Sequence, residues 1–224
     1  MFFRLRITAL LILGTTLLLF GCKTPRPAAD ACLSPLSPAI ANSCVVTPGV
    51  LWRGAKPDAD GAAALISLGV KTVVNLELFH DDLDAFRNAQ PSTTPSVSID
   101  YFRIRDWEPN VVIAPALLDS HVADFVAIVK TRAKPIYVHC RSGQNRTGIM
   151  IATYRILFEE WPIESAIAEM QRYHGVWFKQ DAKYIRGLTG EHRARIEKMA
   201  EARIGQVRRE ALLECSASGC NEIK

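Results

Sequence analysis

Residues 135–148 read PIYVHCRSGQNRTG, and this stretch decides the fold. Pro135 to His139 is a short apolar run with the length of a buried strand, and Cys140 ends it. From Gln144 to Phe158 the chain is apolar almost all round, with Ile149, Met150, Ile151, Ala152, Tyr154, Ile156 and Leu157. A helix of that composition is buried. The sequence therefore predicts a buried strand feeding a buried helix through a short curl. Gly143 supplies a residue that takes positive φ without steric cost. Successive N–H groups of Arg141, Ser142, Gly143, Gln144, Asn145 and Arg146 can then point inward as an anion nest, and the helix N-terminus adds partial positive charge. Arg146 offers a planar fork that matches two oxygens of a phosphate. The same field favours a thiolate: at a helix N-terminus a cysteine pKa can fall from about 8.5 to well below 7. Together these residues describe a loop that binds a tetrahedral dianion above a nucleophile.

Working outward, strands and helices alternate. Leu51 to Arg53 is a strand before a turn at Lys56-Pro57-Asp58. Asp58 or Asp60 caps a helix running to Leu68, with Gly69 closing it. Val70 to Leu76 and Ser98 to Arg105 read as strands, and Ala114 to Thr131 and Pro162 to Tyr173 as helices. This pattern predicts an α/β fold, with a central, mostly parallel sheet of about four to five strands flanked by helices. Its active site should collect at the carboxyl ends of the strands. From Asp181 to Glu214 the chain is charged but keeps Ile196, Met199, Ala200, Ile204, Val207 and Ala211 on one face. That predicts a solvated helix packed by one stripe. No internal repeat is present.

The segment HCRSGQNRTG resembles the signature of the protein tyrosine and dual-specificity phosphatase superfamily. His139, Cys140, Gly143, Arg146, Thr147 and Gly148 match it at fixed offsets. The resemblance extends over about residues 48–185, through LWRGAKP at 51–57, the strand to Leu76 and EWPIESAIAEMQRYHG at 160–175. It implies a dual-specificity-phosphatase-like fold and a role for each residue. Cys140 attacks phosphorus and forms a cysteinyl-phosphate. Arg146 and the loop amides hold the equatorial oxygens. Thr147 hydrogen-bonds the sulfur, and His139 orients the loop. For the proton donor, the ends of the two strands leave Asp106, Glu108, Asp81 and Asp82 open. The family places an Asp a little over thirty residues before the cysteine. Asp106 lies 34 before Cys140 and Glu108 lies 32 before, and the residue type selects Asp106. Asp81 and Asp82 also read as a helix N-cap and a first-turn acid, and Arg53 either as a site residue or as an ion-pair partner.

The remaining features set the context. The chain has 224 residues, 49% hydrophobic and 22% charged. That excludes a disordered or low-complexity chain. Lys and Arg number 27 against 23 acids, a net charge of +4 with no basic cluster, so no nucleic-acid partner is expected. Residues 1–22 carry Arg4 and Arg6, an apolar run and a terminal Leu19-Phe20-Gly21-Cys22 that resembles the bacterial lipobox. The expected organisation is a lipoprotein signal peptide over 1–21 and a flexible tether over 22–46. A phosphatase domain over 47–180 follows, with a C-terminal helical extension and tail over 181–224. Lipid on Cys22 would make the membrane a partner and place the protein in the bacterial cell envelope, facing the periplasm. By the bacterial sorting rule, Lys23 directs it to the outer rather than the inner membrane. Cys32, Cys44, Cys215 and Cys220 lie outside the catalytic core and are expected to form two disulfides that pin the two ends of the chain. The five histidines show no ligand spacing, so neither metal nor cofactor is expected.

The function implied is hydrolysis of phosphomonoesters, in phosphotyrosine or dual-specificity protein substrates, with a phosphorylated protein as partner. An inositol-polyphosphate or phosphoinositide phosphatase is the alternative on the same fold. A phosphate-binding lipoprotein without turnover is the alternative of another class. Rhodanese-like sulfur transfer uses a similar loop, and the Arg146-Thr147 pair speaks against it. Nothing in the residues sets the oligomeric state.

Overall fold

A computed structural model of the chain describes residues 32, 34–91 and 96–223. Cys22 and the expected signal segment lie outside them. Among the described residues no helix is long and apolar enough to cross a membrane. The strands are β1 (Cys44–Thr47), β2 (Leu51–Ala55), β3 (Thr72–Glu77), β4 (Val97–Asp106), β5 (Ile136–Cys140), β6 (Ala211–Ser216) and β7 (Gly219–Ile223). The helices are α1 (Ala59–Ser67), α2 (Leu83–Arg87), α3 (Asn110–Ile113), α4 (Pro115–Thr131), α5 (Asn145–Phe158), α6 (Ile163–Gln171), α7 (Phe178–Arg186) and α8 (Gly190–Arg203). Local chemistry sets their ends. Asp58 accepts a hydrogen bond from the Gly61 amide at 2.9 Å as the N-cap of α1, and Gly69 at φ +84° ends that segment in the left-handed region.

The sheet has seven strands in the order β1-β2-β5-β3-β4-β6-β7. The central four, β2, β5, β3 and β4, are parallel, while β1, β6 and β7 pair antiparallel at the edges. The expectation of four to five strands captured the parallel centre and missed these antiparallel additions. Side chains alternate between two cores. Leu51, Val74, Leu76, Phe102, Ile104, Ile136, Val138 and Cys140 face a core shared with α4 to α8. Trp52, Val73, Ile99, Tyr101 and Tyr137 face the core that includes Ala62, Leu65 and Ile66 of α1 and Phe86 of α2.

The C-terminal region is not the helical extension expected over 181–224. α7 crosses the proposed boundary at 180, α8 packs on α4, and the last residues form a hairpin that extends the sheet beyond β4. The stripe from Ile196 onward is helical only to Arg203. Ala211, Leu213 and Cys215 then alternate as a strand, with period two rather than 3.6. Ala182, Ile185, Leu188, Ile196 and Ala200 belong to the larger core, so this region is part of one domain. Truncating the fully buried Ile185 would cost about 2–5 kcal/mol.

The N-terminal tether is likewise shorter than expected. Cys44 opens β1, and Ile40 is buried in the α1 core. Both expected disulfides are present, each local to its own end. Cys32 bonds Cys44, and Cys215 bonds Cys220 across the β6–β7 hairpin. Cys140 is free and buried.

Candidate active site

Parallel pairing brings four strand ends to one edge. Ala55 pairs with Cys140, Asn75 with His139, and Glu77 with Asp106. A cavity of about 550 Å³ opens there. Lys56, Arg141 and Arg146 supply its cations, Glu77 and Glu108 its acids, and Leu78, Phe79, His80 and Trp107 the rest of the wall. Phe79 is 77% exposed and Trp107 49%, so two aromatic faces stand open at the mouth.

The loop from Cys140 to Arg146 turns at Gly143 with the positive φ expected there. Cys140 is fully buried at the end of β5. Gly143 has φ +68°, and a Cβ there would lie 2.5 Å from the Gly54 carbonyl carbon. Only glycine lets the loop turn against β2. The carbonyls on the outer side of the curl are held from without. Asn42 Nδ2 donates to the Ser142 carbonyl at 2.8 Å, the Lys56 amide to that of Arg141 at 3.4 Å, and Arg53 Nη2 to that of Gly143.

Arg146 is anchored by both neighbouring strands. Its Nη1 donates to the Leu76 carbonyl at 3.0 Å and to the Asp106 carbonyl at 3.1 Å. Its Nη2 lies 3.4 Å from Glu108 Oε1. Its Nε is buried without a partner among the described residues, which leaves donors for an oxyanion. The Thr147 hydroxyl is buried and makes no hydrogen bond there either, so the expected bond to the Cys140 sulfur is not formed.

The four acids left open by the sequence separate in space. The Asp106 carboxylate is 2% exposed and turns into the protein, accepting from Asn110 Nδ2 at 3.0 Å and lying 2.9 Å from His121 Nδ1. Its backbone reaches the site and its side chain does not line the cavity. The Glu108 side chain does. Asp81 accepts from the Leu83 amide at 3.2 Å, a local turn contact. Asp82 makes no capping bond to α2. It lies instead against His139, with Oδ2 3.1 Å from Nε2, and its Oδ1 accepts from Tyr101 and, at 2.7 Å, from Asn75. Burial alone would raise Asp82, but His139, Tyr101 and Asn75 outweigh it and hold the carboxyl below its usual range. His139 also stacks on Tyr137, with ring centroids 5.4 Å apart. Its side chain thus lies on the α1–α2 side of the sheet, away from α5.

Several residues of the site were not singled out from the sequence, Glu77 and Trp107 among them. Lys56 follows β2 and Phe79 follows β3, and the rule that strand ends collect the site points to both. Asp181, on α7, accepts a 2.7 Å hydrogen bond from Asn145 Nδ2, and no local pattern announces it. Burial, with Glu108 and Asp106 nearby, pushes Asp181 up to about 7. Among the described residues no cluster of His, Cys, Asp or Glu could hold a metal ion.

Comparison with known proteins agrees with this geometry. The family described as DSP-PTPase phosphatase fused to NAD+ kinase matches residues 43–181. The dual specificity protein phosphatase TpbA of Pseudomonas aeruginosa (strain UCBPP-PA14) is 33% identical over 171 residues, covering 75% of this chain and 72% of that protein. A crystal structure of P. aeruginosa TpbA, a cysteine-to-serine variant in complex with phosphotyrosine, superposes with a TM-score of 0.52 at 26% identity. It covers 75% of this chain and 98% of that one. The inositol diphosphatase DSP5 of Arabidopsis thaliana is 22% identical over 138 residues, covering 60% of this chain and 64% of that protein. With a cysteine-bearing loop at the strand ends and these relatives, the chain belongs to the DSP-PTPase family of phosphatases.

Proposed function

We propose that the protein hydrolyses aryl phosphomonoesters, phosphotyrosine in proteins first among them, through a cysteinyl-phosphate on Cys140. The observation that carries this reading is Cys140 fully buried at the base of a loop whose Arg146 keeps donors free beneath a cavity with three cations. Arg146 and the loop amides would hold the phosphoryl oxygens as charge redistributes, and Cys140 would displace the leaving oxygen. Phe79 and Trp107 at the mouth suit an aromatic leaving group. Glu77 and Glu108 in the same cavity disfavour a substrate crowded with phosphates. The relative bound to phosphotyrosine supports the same choice.

The proton donor in this reading is Glu108, because of the four acids that the strand ends left open it is the one whose side chain lines the cavity. In the free protein it lies beside Arg146. An arriving phosphate would take the Arg146 fork and leave the Glu108 side chain beside the leaving oxygen. Glu108 would then protonate the departing phenolate and later take a proton from the attacking water. Asp106 would hold the loop in place through Asn110 and His121. Lipid attachment at Cys22, which would tether the domain to the bacterial envelope membrane on its periplasmic face, is carried by the sequence alone.

The test is phosphate release by the full chain in detergent, on phosphotyrosine peptides and on inositol phosphates, beside Cys140→Ser. The reading expects release from the peptides and none from the variant. Release from inositol phosphates alone would transfer the substrate assignment to that class.

A further inference from the structure

Arg53 is fully buried, yet among the described residues no carboxylate lies within ion-pair distance of it. Its Nη2 donates to the Gly143 carbonyl, its guanidinium sits 3.9 Å above the Tyr173 ring, and its Nε and Nη1 have no hydrogen-bond partner there. A buried cation without an anion costs several kcal/mol. Ordinary core packing would use Met or Leu at such a position, so the charge needs a counterpart.

The sheet register supplies one. Arg53 pairs with Val138 on the neighbouring parallel strand, and Ala55 pairs with Cys140. Arg53 and Cys140 therefore point to the same face, that of Leu51, Ile136 and Val138. We infer that Arg53 is a positioning residue whose buried charge stabilises the Cys140 thiolate from behind the phosphate loop, while its hydrogen bond fixes the Gly143 carbonyl away from the anion. This rests on the reading of Cys140 as nucleophile. It adds a cation outside the loop signature, carried by the first parallel strand.

The other ionisable groups around the sulfur have partners or stand elsewhere. Glu169 of α6 is held by Arg155 through two 2.8 Å bonds. His139 of β5 faces Asp82 across the sheet, and Tyr137 donates to the Ala55 carbonyl at 2.6 Å. Arg146 of α5 bonds the Leu76 and Asp106 carbonyls and lies beside Glu108, with its Nε left for the phosphoryl group in the reading above. Lys56, Glu77 and Arg141 line the open cavity, and Tyr173 offers its ring face to Arg53 itself. Burial pushes the Arg53 guanidinium down, while Tyr173, Glu169 and Cys140 pull it back up.

The test reads thiolate formation directly. The ultraviolet absorbance of the thiolate is followed against pH as the difference between each protein and the same protein carrying Cys140→Ser. Arg53→Gln keeps a donor for Gly143 and loses the charge. Arg53→Lys keeps the charge. Arg53→Met removes both and suits an apolar core, so it takes the place of Gln if Gln does not fold. The expected result is a midpoint about one pH unit higher in Gln and Met, and within about 0.3 unit of wild type in Lys. Unchanged midpoints in Gln and Met overturn the inference. Equal displacement in all three variants overturns it as well, because it would assign the effect to shape rather than charge. The measurement needs no turnover, so a missing phosphatase activity would count against the proposed function and leave this result readable.

Discussion

Asn145 Nδ2 donates a 2.7 Å hydrogen bond to Asp181 Oδ2, tying α7 to the residue just before Arg146. Burial pushes that carboxyl up to about 7 from 3.8. The folded value exceeds the unfolded one, so protonation favours the fold. Its contribution is complete below pH 3.8 and is lost as pH rises through about 7. Asp181→Asn keeps an acceptor for Asn145 and removes the titration. Thermal unfolding at pH 5 and pH 8 should show the variant gaining about 1–3 kcal/mol on wild type at the higher pH. An equal difference at both pH values contradicts this.

Glu108 and Asp106 are separated by what each carboxylate touches. Glu108→Gln should lower kcat about 100-fold on an aryl phosphate with a poor leaving group. The loss should be small on one whose phenol departs without a proton. Asp106→Asn should instead lower thermal stability and affect both substrates alike. If Asp106→Asn shows the leaving-group dependence and Glu108→Gln does not, the acid assigned from residue type is the donor after all.

The Gly143 position admits no side chain. A Cβ would lie 2.5 Å from Gly54 carbon and 2.7 Å from the Ala55 nitrogen, both backbone atoms, at φ +68°. Gly143→Ala should cost about 1–3 kcal/mol in strain and weaken vanadate binding at least tenfold. Calorimetric titration with vanadate measures the second effect, and wild-type affinity in the folded variant would refute it.

The signature loop was legible because Cys140, Gly143 and Arg146 each serve a local need: a strand end, a positive φ and a helix first turn. The parallel strands were legible because Val73, Val74, Ile136 and Val138 are apolar on both faces of a buried sheet. The β6–β7 hairpin was not. Ala211 to Ser216 follows a charged helix, and its alternating stripe continues the helical one until its pairing with β4 is known. The direction of the Asp106 side chain was not legible for a similar reason. Spacing set its distance from Cys140 along the chain, while Asn110 and His121, near it in sequence, set where its side chain points. Arg53 read equally well as an ion-pair partner, and only the fold shows that no acid meets it among the described residues.

The disulfides offer a check on the chain ends. Peptide mapping without reduction should recover Cys32 linked to Cys44 and Cys215 linked to Cys220, with Cys140 a free thiol. Removing the Cys32–Cys44 bond should cost about 2–3 kcal/mol. A link between the two ends would contradict the local pairing and the edge positions of β1 and β7.

The central claim is a covalent bond between Cys140 and phosphorus. Acid quenching during turnover of an aryl phosphate, followed by mass analysis of the peptide containing Cys140, tests it most directly. The account predicts a phosphoryl group on that peptide in wild type, and neither phosphoryl group nor turnover in Cys140→Ser. Phosphate release that continues in Cys140→Ser at a rate near wild type would contradict it.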